Sequence, residues 1–328
     1  MKRIGKFLMI FAVAMTLLPI NARAAELLIP VGKIVGLQLS DNTVTVAAFD
    51  DVLGAEARTA GLKIGDEIVQ IDTTTIDCTE DVRRALEGCD GDAELIVRRG
   101  NRRCTVTVPT RQSDSGPRLG VYLRQGIAGI GTITFYDPDT HRFGALGHGV
   151  SGLDGTQLLM LQSGYLVRAS VAEVRTGTRG TPGELHGIFD VTDAVGTVEK
   201  NTACGIFGTL SQPKPGEAVQ TAPASAVTTG AAEILSNVDG EQVQRFSIRI
   251  DRVDPDAKNG RNLLITVTDE ALLAKTGGIV QGMSGSPVMQ DGKLVGAVTH
   301  VFVSDPCKGF GISIYDMLET AGIREQAA

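Results

Sequence analysis

In Gly277-Gly278-Ile279-Val280-Gln281-Gly282-Met283-Ser284-Gly285-Ser286-Pro287-Val288-Met289-Gln290-Asp291-Gly292 a serine stands between glycines, on a turn that runs directly into a short apolar strand. A nucleophilic serine needs its hydroxyl presented on such a tight turn, with backbone N–H groups aimed at the oxyanion formed on attack. Ser284 meets the first demand. The N–H groups of Gly282 and Ser284 are candidates for the second, and Gly285 lets a substrate carbonyl come close. No helical pattern follows the serine, which excludes the strand–turn–helix nucleophile elbow of α/β-hydrolases. A Gly/Ser/Pro turn is equally a common plain connection between strands, and Ser286 is a rival nucleophile.

Outward from this turn, residues 119–317 break into short strand-like pieces at 131–136, 166–174, 205–210, 245–250, 263–268, 288–289 and 294–303. Helical periodicity is confined to 269–275 and 314–321. Forty glycines, about 12% of the chain against an average near 7%, fit many strands joined by tight turns. A mainly β barrel or sandwich is therefore expected over 119–328. The polar run Arg111-Gln112-Ser113-Asp114-Ser115-Gly116-Pro117-Arg118 reads as a linker at 111–118.

Ahead of it, 35–110 carries a second pattern. Residues 43–47 alternate as a strand, 67–72 reads as another, 79–87 as a helix, and 94–98 with 105–108 as a hairpin turning at Arg99-Gly100-Asn101. The segment Ala60-Gly61-Leu62-Lys63-Ile64-Gly65-Asp66-Glu67-Ile68-Val69-Gln70-Ile71-Asp72 resembles the hallmark of PDZ domains of the bacterial protease kind. That resemblance implies strand addition of an extended peptide to a sheet edge beside a helix. The expected edge is Gly36, Leu37 and Leu39, and the expected helix wall includes Val82 and Leu86, which are as readily the core of a small domain.

Lys2, Arg3 and Lys6, an apolar run from Phe7 to Leu18 interrupted by Thr16, and Ala22-Arg23-Ala24 read as an export signal or membrane anchor at 1–24, followed by a linker at 25–34. The run is shorter than the roughly 20 apolar residues a membrane span needs. A net charge of −7 argues against nucleic acid as a partner. The cysteines Cys78, Cys89, Cys104, Cys204 and Cys307 contain no CxxC pair, which leaves no zinc or thioredoxin-like motif. A helix between Cys78 and Cys89 would hold them roughly 16 Å apart, too far for a disulfide.

The base for such a serine is a histidine, and four exist. His148, in Phe143-Gly144-Ala145-Leu146-Gly147-His148-Gly149-Val150, follows a short apolar strand and is flanked by glycines. His141 and His186 sit in turn-like and loop-like contexts, and His300 ends a strand and could line a cleft.

The Ser284 turn is similar to the Gly-Asp-Ser-Gly-Gly-Pro motif of chymotrypsin-like proteases, with Met283 and Ser286 as departures. Together with the His148 segment, the run from Glu199 to Leu210, the block from Thr268 to Pro287 and the run from His300 to Gly311, it resembles the SpoIVB peptidases, stage IV sporulation protein B, over nearly the whole chain. The resemblance implies a small PDZ domain (α+β) followed by a chymotrypsin-like double β-barrel, with the active site between the barrels. It implies Ser284 as nucleophile, His148 as general base and Asp269 as the orienting acid; barrel geometry favours Asp190 or Asp193 as the acid instead. It implies no cofactor. It further implies self-cleavage, for which residues 24–33 are a candidate site, and cleavage of a membrane-bound regulator between the two sporulation membranes, which releases a sigma-factor-processing protease. The alternatives are a non-catalytic PDZ peptide-binding protein with a degenerate protease domain, or an exported quality-control protease.

Overall fold

Two strands of 16 residues, Ile34–Phe49 and Val121–Tyr136, pair antiparallel over most of their length and organise the N-terminal half. The computed structural model describes residues 26–89, 91–113, 116–152, 155, 157–257 and 260–324. The expected export segment at 1–24 lies outside the described residues. Among those described, no helix is long and apolar enough to cross a membrane.

At one end the long pair belongs to a barrel. Val121–Tyr136 pairs with Arg142–Ala145, which pairs with Gly205–Leu210, then Glu184–Thr202, then Ser163–Arg175, which returns to Ile34–Phe49. The long pair itself closes the ring. Leu37, Leu39, Ile133, Phe143, Leu166 and Ile206 fill its interior. A second closed barrel follows, in the order Gly230–Asp239, Gln242–Val253, Leu263–Val267, Asp305–Ser313, Lys293–Phe302 and Pro287–Gln290. Its strands show the expected two-residue period: Phe246, Ile248 and Ile250 point into the core while Arg245, Ser247 and Arg249 face water. The chain is thus a double β-barrel.

At its other end the long pair continues into a small α+β module. Val44 and Thr45 pair with Ile68 and Glu67, and the sheet extends through Asp92–Arg99 and Arg102–Pro109. Helices Gly54–Thr59 and Thr79–Glu87 complete it over a core of its own, which includes Val44, Ile68, Leu95 and Val97. Between barrel and module the pairing register shifts, and Gly126 adopts φ 74. A Cβ there would lie 2.0 Å from the Leu39 carbonyl oxygen, so only glycine fits this crossing.

The helix Glu270–Thr276 starts on the Asp269 side chain and ends at Gly277 with φ 74, and the helix Ile314–Ala321 starts on Ser313 and ends at Gly322 with φ 72. In the latter, Ile314, Met317, Leu318 and Ala321 form one apolar stripe, which packs with Phe135 and Phe207 of the first barrel and Leu235 and Ile312 of the second. Burying each large side chain of that stripe contributes about 1.5–3 kcal/mol.

Two expected boundaries shift. Leu27–Pro30, read as linker, is a strand paired with Val219–Gln220 and with the end of Val121–Tyr136, because its apolar Leu28 and Ile29 are buried in the barrel cores. Arg111–Ser113 and Gly116–Arg118, also read as linker, pair as a two-stranded ribbon.

Candidate active site

The glycine-flanked serine turn sits where the barrels meet, and the first barrel holds it by direct hydrogen bonds. The Thr132 N–H donates to the Ser284 carbonyl at 3.0 Å and the Thr132 hydroxyl to the Gly282 carbonyl at 2.7 Å. The Thr134 hydroxyl donates to the Gly285 carbonyl at 2.8 Å. Gln281 and Leu185 add a parallel pair, Gln281 N–H to Gly183 carbonyl and Leu185 N–H to Gln281 carbonyl, both 2.9 Å. Gly285 adopts φ 96, and a Cβ there would lie 2.1 Å from the Thr132 carbonyl oxygen, so the turn and the opposing strand meet backbone to backbone.

Within the turn, Met283, Gly285 and Ser286 spend their N–H groups on the carbonyls of Val280, Val298 and Met283. Among the described residues, the N–H groups of Gly282 and Ser284 have no protein acceptor. The turn therefore leaves two backbone donors on either side of Met283 available to an incoming oxygen. The Ser284 hydroxyl itself donates to the Thr299 carbonyl at 2.7 Å. Ser286 is fully buried and donates to the Ser236 hydroxyl at 3.0 Å, out of reach of any substrate.

His148 reaches the same cleft through an unusual backbone. Leu146 and Gly147 take φ 67 and φ 69, a left-handed pair that swings the chain out of the strand Arg142–Ala145. A Cβ on Gly147 would lie 2.9 Å from Thr299 Cγ2 and 3.0 Å from Ile312 Cγ2, so this glycine lets the segment lie flat on the second barrel. For Leu146 the left-handed conformation costs on the order of 1–3 kcal/mol, the kind of strain that persists where surrounding packing holds it. Leu146, Gly149, Gly282, His148 and Ser284 line one cleft of about 390 Å³.

The imidazole Nδ1 lies 2.9 Å from the Gly149 carbonyl oxygen. A carbonyl only accepts, so the proton is on Nδ1 and Nε2 carries the lone pair. Burial holds the His148 pKa below the usual histidine value, partly opposed by the bond to Gly149. The His300 ring lies 5.2 Å from that of His148, centroid to centroid, and its pKa is also lowered, first by burial and then by the nearby His148 and Arg261. His148 and Ser284 share the cleft without a hydrogen bond between them.

None of the three candidate acids meets the imidazole. Asp269 accepts from the Leu272 N–H at 3.0 Å and the Ser247 N–H at 3.2 Å, so one oxygen caps the helix Glu270–Thr276 and the other ties it to the strand Gln242–Val253. Asp190 accepts from the N–H and hydroxyl of Thr192, and Asp193 pairs with Arg168 at 2.6 Å, both on the exposed face of a barrel strand. The Gly149 carbonyl occupies the position a carboxylate was expected to take.

The expected peptide edge is also corrected. Gly36, Leu37 and Leu39 pair with Ile130, Gly129 and Ile127 on one side and with Val167, Leu166 and Gly164 on the other, which leaves no free ladder. Val82 and Leu86 are 4% and 5% exposed and belong to the module core. Val121–Gln125 pairs with residues 44–49 on one side and, among the described residues, has no strand on the other, where the Gln125 side chain accepts from the Thr79 N–H at the start of the helix Thr79–Glu87; Arg102–Pro109 is the second open edge of the module's sheet. Sequence reasoning missed Thr132, Thr134 and Thr299. Thr132 and Thr134 alternate with Ile133 and Phe135, which locally reads as a solvent face; they are buried because both faces of this strand segment are covered, while Thr299 shares its strand face with Val295 and Ala297.

No curated protein matches the chain. Among solved structures, an inactive form of the Rv3671c protease is similar at a TM-score of 0.33 and 15% identity, covering 60% of this chain and 85% of that one. The active form of the Rv3671c protease from M. tuberculosis is similar at 0.33 and 15%, covering 62% and 78%. The model of the SpoIVB peptidase S55 family matches residues 116–318, from just ahead of the second long strand into the C-terminal helix, which takes in the second barrel and the first apart from Ile34–Phe49. That match spans well over half of the chain, which therefore belongs to the SpoIVB peptidase S55 family and is a serine peptidase.

Proposed function

We propose that Ser284 is the nucleophile and His148 the general base of peptide-bond hydrolysis, with the N–H groups of Gly282 and Ser284 as the oxyanion donors. The observation that carries this reading is one cleft lined by a hydroxyl, an imidazole with a free Nε2 and two backbone N–H groups without acceptors. Rotation about χ1 takes the Ser284 hydroxyl from the Thr299 carbonyl to His148 Nε2, a move between staggered wells. Oγ then attacks the substrate carbonyl carbon as Nε2 takes its proton, and the charge that develops on the carbonyl oxygen meets the two N–H donors. His148 returns the proton to the leaving amine, and water, deprotonated in the same way, releases the acyl group. The Gly149 carbonyl keeps the tautomer fixed throughout.

The small module acts as a PDZ domain that takes an extended peptide along Val121–Gln125. The protein works outside the cytoplasmic membrane, between forespore and mother cell, transiently anchored by its N-terminus. There it cleaves itself and a membrane-bound regulator of a sigma-factor-processing protease; its family and the charge pattern of its first residues support this setting. Labelling of the full chain with a fluorophosphonate tests the chemistry. Covalent modification maps to Ser284, vanishes in Ser284→Ala and collapses in His148→Ala; label on any other residue refutes the assignment.

A further inference from the structure

The cleft that holds Ser284 and His148 has an apolar floor with a gap in it. Leu37 and Leu39 stand directly opposite Gly129 and Ile127 in the register of the long strand pair, so these four positions share one face. Leu146 closes the same face: a Cβ on Gly131 would lie 2.1 Å from Leu146 Cδ2 and 3.1 Å from Leu37 Cδ1. At Gly129, two residues away on that face, a Cβ would meet nothing within 4 Å. The sheet therefore carries large side chains at three of the four positions and an opening at the fourth. Among the described residues, no Asp, Glu, Lys or Arg lines the cleft.

The geometry points to Gly129 as a specificity-determining residue: its missing side chain opens a pocket for an aliphatic side chain of the substrate, next to the scissile bond. The inference rests on Ser284 and His148 being the reacting pair, because it is their shared wall that brings the pocket to the reacting carbonyl. An alkyl side chain over Gly129 loses water against Leu37, Ile127 and Leu146 at about 25 cal/mol per Å². A charged side chain entering the same space loses hydration and finds no counter-charge among the described lining residues, which disfavours it. The Gly129 backbone does not require positive φ, so side chains can be added there without backbone strain.

The test uses the full chain and a mixed library of unstructured peptides, with the products sequenced by mass spectrometry. The wild type enriches Leu, Ile, Val or Met at one fixed position adjoining the cut. Gly129→Phe fills the opening and lowers kcat/KM for the aliphatic peptides relative to their Ala counterparts by about tenfold or more. Gly129→Ala gives a smaller shift in the same direction. Fluorophosphonate labelling is followed in parallel. Label on Ser284 with no aliphatic enrichment in the wild type, or with an unchanged preference in both variants, overturns the pocket and leaves the nucleophile standing. Peptide cleavage without label on Ser284 overturns the reading of the reacting pair and the pocket with it.

Discussion

The Ser284 hydroxyl is bound to the Thr299 carbonyl at 2.7 Å, on the strand that also carries His300. That bond takes up the hydroxyl proton and none joins it to His148, so the chain rests with its proposed reacting groups in one cleft but uncoupled. Covalent modification should reverse the arrangement. A crystal structure of the fluorophosphonate adduct is expected to show Oγ released from Thr299, and His148 Nε2 within about 3.2 Å of an adduct or serine oxygen. An adduct on Ser284 with the imidazole remote from it would remove the general base.

Replacing His148 by alanine is expected to slow labelling by about 10²–10⁴-fold, the usual contribution of a positioned base. His300→Ala, which leaves both Nδ1–H···O=C149 and the serine turn in place, is expected to cost far less. Comparable losses in both variants would make the second imidazole an equal partner.

The pH dependence follows from burial. His148 must be neutral to accept a proton, and its pKa lies below the usual histidine value. Protonation, and with it loss of rate, therefore occurs only at pH values below about 6.5. The acid limb of the labelling rate is expected below that value, and a midpoint above it would mean that the charged imidazole is stabilised in the cleft.

Asp269 separates a cap from an acid. Asparagine keeps the cap on the Leu272 N–H but sets an NH2 group where Oδ2 accepts from the Ser247 N–H, so Asp269→Asn should retain labelling while losing about 1 kcal/mol of stability, and Asp269→Ala should lose more. A carboxylate that orients the base behaves otherwise: its amide replacement costs about 10⁴ in kcat. Thermal melts and labelling rates of the two variants decide between them.

Ser286→Ala removes a buried hydroxyl that bonds Ser236, and is expected to lower stability by about 1 kcal/mol while labelling at Ser284 persists. Loss of labelling in a variant that still folds would revive the rival nucleophile.

Local signals carried much of this far. The helix expected at 314–321 is Ile314–Ala321, because its apolar stripe, its Ser313 cap and its terminal Gly322 all lie within one short segment. The helix expected at 269–275 is Glu270–Thr276, bounded by the Asp269 cap and the left-handed Gly277. The linker at 25–34 failed because Leu28 and Ile29 find their burial against strands more than 100 residues away, which no local pattern records.

What the sequence determined by itself is chemistry of short range: a serine on a glycine-flanked turn, a histidine between glycines, the alternation of buried and exposed strand residues, and the helix caps. Each depends on neighbours within a few positions. Tertiary structure alone decided which groups meet. The two long strands carry Gly36, Leu37 and Leu39 into a fully paired sheet, and Thr132 and Thr134 across the seam onto the serine turn. Those pairings follow from how the strand ladders close into barrels, a long-range property set by the packing of the whole chain.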